Sequence, residues 1–232
     1  MNQTSFEATR GARGARSARP AGNTSLRLLL LAMLSISLAG CGPLGWVAHG
    51  VAGGQKRVKI KADYTGLENQ RVAVLVDVDE YTLHQHRQAP MLISREISTE
   101  IAEHVVGVQL VNPRDVISFQ HDNPYWSTGR YTEIFEKLDV DRLVIVDLMD
   151  YRLHEPGNMH IYQGLLSGTV MVVEADARDP DQPRYSTTVR VEYPENSTIG
   201  AVSTNPGAIQ GELITRFGLE TGRLFHDHEV WQ

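Results

Sequence analysis

The chain has 232 residues, 28 acidic against 22 basic, a formal net charge of −6 and 41% hydrophobic residues. That is apolar content for one packed core, on a surface too acidic to favour nucleic acid or anionic headgroups. One cysteine in the whole chain leaves no intrachain disulfide, so packing must hold the fold in any redox compartment.

Arg10, Arg13, Arg16 and Arg19 precede an apolar run, residues 28–38, that ends in Ala39, Gly40 and Cys41. A positive flank, a short apolar segment and a small-residue junction make a secretory signal peptide. A membrane-spanning helix needs about 20 mostly apolar residues, and Gly40, Gly42, Pro43 and Gly45 interrupt this run first. Leu38-Ala39-Gly40-Cys41 resembles the lipobox of bacterial lipoproteins. The resemblance implies removal of residues 1–40, acylation of Cys41 and anchoring on the periplasmic side of a membrane. Gly42, where an aspartate would stand in retained lipoproteins, resembles the pattern of those forwarded to the outer membrane. The removed piece holds Arg27 besides the four arginines above, against the single acid Glu7, so the remaining chain is more acidic than the whole. Its attachment must come from the lipid on Cys41 and not from a basic patch.

Residues 41–57 are glycine-rich and read as a flexible tether, with Trp46 placed for the lipid interface. Residues 58–69 lead in, with an edge strand at 58–62. The domain proper spans 70–226 and a polar tail 227–232. Residues 72–78 form a nearly unbroken β-branched run, the mark of a strand covered on both faces. Residues 79–89 read as a polar loop. Pro90 suits a first helical turn, Ile93, Ile97, Ile101 and Val105 repeat at steps of four, and Gly107 can end that helix. A short strand at 108–111 is closed by Asn112-Pro113 and continued at 116–119, before a long loop, 120–129, exposing Tyr125 and Trp126. A short helix at 130–138 leads into a second buried strand at 143–146, which runs on to His154 with alternating polarity. Strands at 164–177 and 185–193 complete an antiparallel meander. Asn205 is placed to cap a closing helix from Pro206, weakened by Gly211, Gly218 and Gly222 and expected to break near Gly218. The fold class is α/β: one two-layer or three-layer-like domain with a mixed sheet of about five strands, in the chain order β-α-β-α-β-β-β-α.

Residues 71–77 as first strand, 93–105 as first helix and Leu138-Asp139-Val140-Asp141-Arg142-Leu143-Val144-Ile145-Val146 as helix end, turn and strand resemble one group of periplasmic domains. These are the penicillin-binding-protein activator lipoproteins, the curli secretion lipoprotein and the amino-terminal domain of the Tol-system propeller protein. The resemblance covers roughly residues 70–225. It implies a domain that binds partners or assembles rings and is no enzyme. The chain lacks the long channel-forming insertion of the curli protein, which argues against a pore.

Several constellations fail as catalytic sites. His154-Glu155 with His160 lacks the four-residue histidine spacing of helical metalloproteases, and Pro156 would break that helix. Ser167 lies one place late for a nucleophile elbow and within a strand pattern. No phosphate-cradling glycine loop is present, so neither enzyme activity nor a cofactor is expected. His84 and His86 are weak metal candidates beside Asp77, Asp79 and Glu80, since an extended segment would project both to one side; a solvated loop is the stronger reading. His226-Asp227-His228-Glu229 reads as polar tail. Tyr125, Trp126 and Tyr131 are the candidates for partner contact, against the alternative that Tyr125 and Trp126 fold back over the core. The expectation is a lipid-anchored envelope lipoprotein that binds an envelope protein partner without catalysis. Its alternatives are a homo-oligomeric subunit of an export or assembly complex, and a metal or small-ligand carrier.

Overall fold

The computed structural model describes residues 57–155, 157–195 and 206–231. The signal peptide, Leu38, Ala39, Gly40 and Cys41, Trp46 with the tether up to residue 56, and Asn205 lie outside the described residues; Arg57, read as the end of the tether, opens a strand. The fold is mixed α/β, as the sequence implies. Its centre is β2 (Arg71–Asp77). Val72, Val74 and Val76 enter one core cluster while Ala73 and Leu75 enter another, because successive strand side chains point to opposite faces. Both faces are therefore covered, which is why the run is apolar without alternation.

β2 pairs in parallel with β3 (Gln109–Leu110) on one side and β4 (Arg142–Glu155) on the other. β5 (Asn158–Glu174) and β6 (Tyr185–Tyr193) then add antiparallel, giving the order β3-β2-β4-β5-β6. One short helix, α1 (Glu80–Gln85), follows β2 and precedes α2 (Ala89–His104). α2 and the closing helix α5 (Pro206–Arg223) bury Ile93, Ile97, Ile101, Ile209, Leu213 and Phe217 against one face. α3 (Pro113–Asp122) and α4 (Tyr131–Leu138) supply Val116, Ile134 and Phe135 to the other. The parallel half of the sheet is thus the middle of three layers. Along β6 burial alternates instead, with Val189 and Val191 buried and Thr188 and Arg190 exposed, as expected of a strand wetted on one face. Among the described residues no helix is long and apolar enough to cross a membrane.

Several local readings are corrected. Residues 79–89 are not a loop throughout. Asp79 caps α1 by accepting a hydrogen bond from the Thr82 N–H at 3.0 Å, and α1 buries no residue, so it carried no hydrophobic period to announce it. Residues 116–119 are helix, not strand. The Asn112 side chain accepts from the Arg114 N–H at 2.9 Å and Pro113 opens α3, a cap and first-turn proline that outweigh the short apolar run. Helix α3 also takes residues 120–122 out of the expected loop, and a 3₁₀ turn occupies Trp126–Thr128. The expected break near Gly218 does not occur, because α2 packs there and offsets the weak propensity. The lead-in belongs to the body, with Leu67 fully buried and the Gly66 carbonyl accepting from Arg142 Nε at 3.2 Å. The polar tail is β7 (His228–Trp231), paired antiparallel with β1 (Arg57–Ile60) in a ribbon separate from the main sheet. Four residues are too few for a strand period to be read against a polar background.

Candidate functional site

Strand order reverses at β2. From β2 the chain reaches β3 on one side through α1 and α2, then β4 on the other side through α3 and α4. Because α2 and α3 lie against opposite faces, a crevice opens outside the carboxyl end of β2, the place where open α/β sheets bind. Here it is a cleft of about 460 Å³ lined by Asp77, Leu83, Arg87, Met91, Gln120 and Trp126, among others. Gln120 Nε2 donates to the Val76 carbonyl at 3.0 Å, while its buried Oε1 has no partner and remains able to accept. A smaller hollow of about 230 Å³ adjoins it, lined by Phe119, Tyr125, Arg130 and Lys137, with Pro124 and Trp126 shared by both.

The parallel pairing of β2 with β4 ends in acids. Asp77 and Asp147 are register partners on β2 and β4. Partial desolvation against the sheet, and then the charge of Asp77, raise the pKa of the largely exposed Asp147. Burial also raises that of Tyr131, followed by the charges of Asp77, Asp147 and Asp181. A carboxyl raised in the folded state binds more protons folded than unfolded, so its contribution falls as pH rises from the unfolded value through the folded one. Asp147→Asn is therefore expected to raise the melting temperature at pH 7 and to have little effect below the unfolded carboxylate pKa. Asp147 is itself exposed, so solvent screening keeps the gain below about 1 kcal/mol. A melting temperature lowered at pH 7 would contradict the assignment.

The structure separates the three partner-contact candidates. Tyr125 is 82% exposed and Trp126 only 8%, so the second ring is a core lid and the first is a surface group. Tyr131 is half-buried, packed on the same cluster as Trp126. The weak metal pair is not brought together. His84 is exposed in the last turn of α1 and His86 is its C-cap, with the His86 ring packed 4.5 Å from that of Tyr151. Two residues apart on a helix point to different sides, and burial holds the His86 imidazole below its ordinary pKa. Among the described residues, the histidines that do converge with an acid are His104 and His226, beside Glu100. The four-residue Glu100–His104 spacing on an evident helix was the available signal; His226 lies 122 residues further on by number, and only the fold joins it to them.

No family model matches the chain, and no curated protein does. Solved structures give distant likenesses. A PelC dodecamer from Paraburkholderia phytofirmans aligns at 6% identity and TM-score 0.42, covering 74% of this chain and 98% of that one. Lipoprotein GNA1162 from Neisseria meningitidis aligns at 12% identity and TM-score 0.41, covering 63% and 93%. A minor lipoprotein from Acinetobacter baumannii aligns at 14% identity and TM-score 0.28, covering 68% and 90%. At such scores they are similarities only, and no function follows from them.

Proposed function

We propose that the chain is a lipid-anchored protein of the cell envelope whose α/β domain binds a protein partner at the carboxyl edge of its parallel strands, without catalysis. The observation that carries the binding surface is the exposure of large apolar side chains at the two adjoining hollows. Leu83 on α1 is 42% exposed and lines the larger hollow. Tyr125 stands out beside the shared wall of the two hollows. Rigid aromatics at a cleft give contact area at low entropy cost, as in the hot spots of protein interfaces. Leu83→Ala with Tyr125→Ala should weaken capture of the partner from envelope extracts by about tenfold or more, an expected loss on the order of 2 kcal/mol. Undiminished capture by a folded double variant would remove the surface from consideration.

The anchor rests on the lipobox resemblance. Cys41→Ser is expected to abolish incorporation of labelled fatty acid and to release the protein from membrane fractions. Label entering that variant would refute the anchor. Fractionation of the native protein with the inner membrane alone would refute the outer-membrane destination that Gly42 suggests.

A second reading, a homo-oligomeric envelope subunit, is favoured by β6. Its nine residues form a sheet edge, and an edge is a template for a strand from another copy. Native mass measurement separates the two: a ring or higher assembly supports the subunit, a monomer the partner-binding module.

A further inference from the structure

We propose that Glu100, His104 and His226 hold a divalent transition metal of the zinc class, which clips the C-terminal segment to α2. Glu100 Oε1 lies 3.2 Å from His226 Nε2 and 3.2 Å from His104 Nδ1. One ligand atom from each of the three residues lies within 4.8 Å of the others. Two donors held tetrahedrally on zinc at bond lengths near 2.0–2.1 Å are about 3.3–3.4 Å apart, so the spacing of both acid–histidine pairs already suits a shared ion. Two imidazoles and one carboxylate are a ligand set that zinc, nickel and copper accept and that magnesium and calcium do not favour.

Proton bookkeeping points the same way. His226 Nδ1 lies 3.1 Å from the backbone oxygen of Asp227 and Nε2 lies 3.2 Å from Glu100 Oε1, so both ring nitrogens face acceptors and a single ring N–H serves only one of them. With the hydrogen on Nδ1, a cation between Nε2 and the carboxylate satisfies both. The His226 and His104 rings stack with centroids 4.3 Å apart and planes 14° from parallel, so the exposed His104 ring has to turn for both in-plane lone pairs to reach one ion. His104 Nδ1 faces acceptors as well, the Glu100 backbone oxygen at 3.0 Å and its Oε1 at 3.2 Å. A divalent ion satisfies carboxylate and rings together, with the His104 ring hydrogen carried on Nε2 while Nδ1 ligates.

The surroundings hold Glu100 and His226 in place. The Nδ1–H of His226 to a backbone carbonyl is the outer contact that fixes a ligating imidazole. A Cβ at position 222 would come 2.1 Å from Glu100 Cγ, so Gly222 on α5 leaves the room in which the Glu100 side chain stands. The side chains of His226 and Glu100 are 9% and 15% exposed, whereas His104 is 43% exposed and provides the entry. Phe225, buried next to His226, brings the segment to α2 without the metal.

The test uses the full chain purified without a histidine tag. Titration with Zn²⁺ by calorimetry should show one equivalent bound, and Co²⁺ should give the visible absorption of a tetrahedral site. His104→Ala and His226→Ala should each weaken Zn²⁺ binding about tenfold or more, and added Zn²⁺ should raise the melting temperature of the parent but not of the variants. His84→Ala should bind as the parent does. His104 is half-exposed, so its removal leaves a folded protein in which loss of binding can be read even if His226→Ala unfolds. The proposal is overturned if the parent binds no stoichiometric Zn²⁺, or if a folded His104→Ala binds it as tightly as the parent.

Discussion

Trp126→Ala is expected to destabilise the protein by about 3–5 kcal/mol, the range of buried aromatic truncations, while the adjacent Tyr125→Ala leaves stability within about 0.5 kcal/mol, as exposed substitutions do. The residues are neighbours in sequence but not in environment. Trp126 opens the 3₁₀ turn and buries its ring in the cluster of Ala73, Leu75, Val116, Ile134 and Phe135, so its loss leaves a cavity between the sheet and α4. Tyr125 is 82% exposed and leaves none. Urea unfolding of the two single variants reads the difference as a shift of midpoint at constant slope. Equal effects in both would mean that the loop carries the two rings as one unit, contrary to their burial.

The second large effect concerns α5, where two glycines should respond with opposite signs. Gly218→Val places a Cβ 2.5 Å from Glu96 Cβ and 3.2 Å from the Glu96 carbonyl carbon. The second neighbour is backbone, so α2 and α5 must separate, and overpacking of this kind costs about 1–3 kcal/mol. A Cβ at position 211 meets nothing within 4 Å, so Gly211→Ala should gain about 0.5–1 kcal/mol from helix propensity and a less disordered unfolded chain. Thermal melts of the two variants check this. A stabilised Gly218→Val would show that the helices are not in close contact there.

The site was legible only in parts. The Tyr125-Trp126 pair announces itself as aromatics interrupting a polar connection, but composition is the same for a lid and for a contact surface; which ring is which depends on how the 3₁₀ turn rotates them. Leu83 sits in α1, too short and too exposed for any periodicity to reveal. The crevice exists because the chain reverses direction across the sheet at β2, a property of strand order that local pattern does not contain.

By itself, the sequence determined the α/β class, the doubly covered strand at 71–77, α2 from its four-residue isoleucine spacing, and the meander of the last long strands. In each, the burial demanded of a face is written into successive residues as a period. Only the tertiary structure decided that residues 113–122 are helix, that the lead-in joins the core through Leu67, and that the polar tail becomes β7 on β1. It alone brings His226 to Glu100 and His104. Those outcomes depend on caps and on partners distant in the chain, whose contacts form only when the layers close, and no local period encodes them.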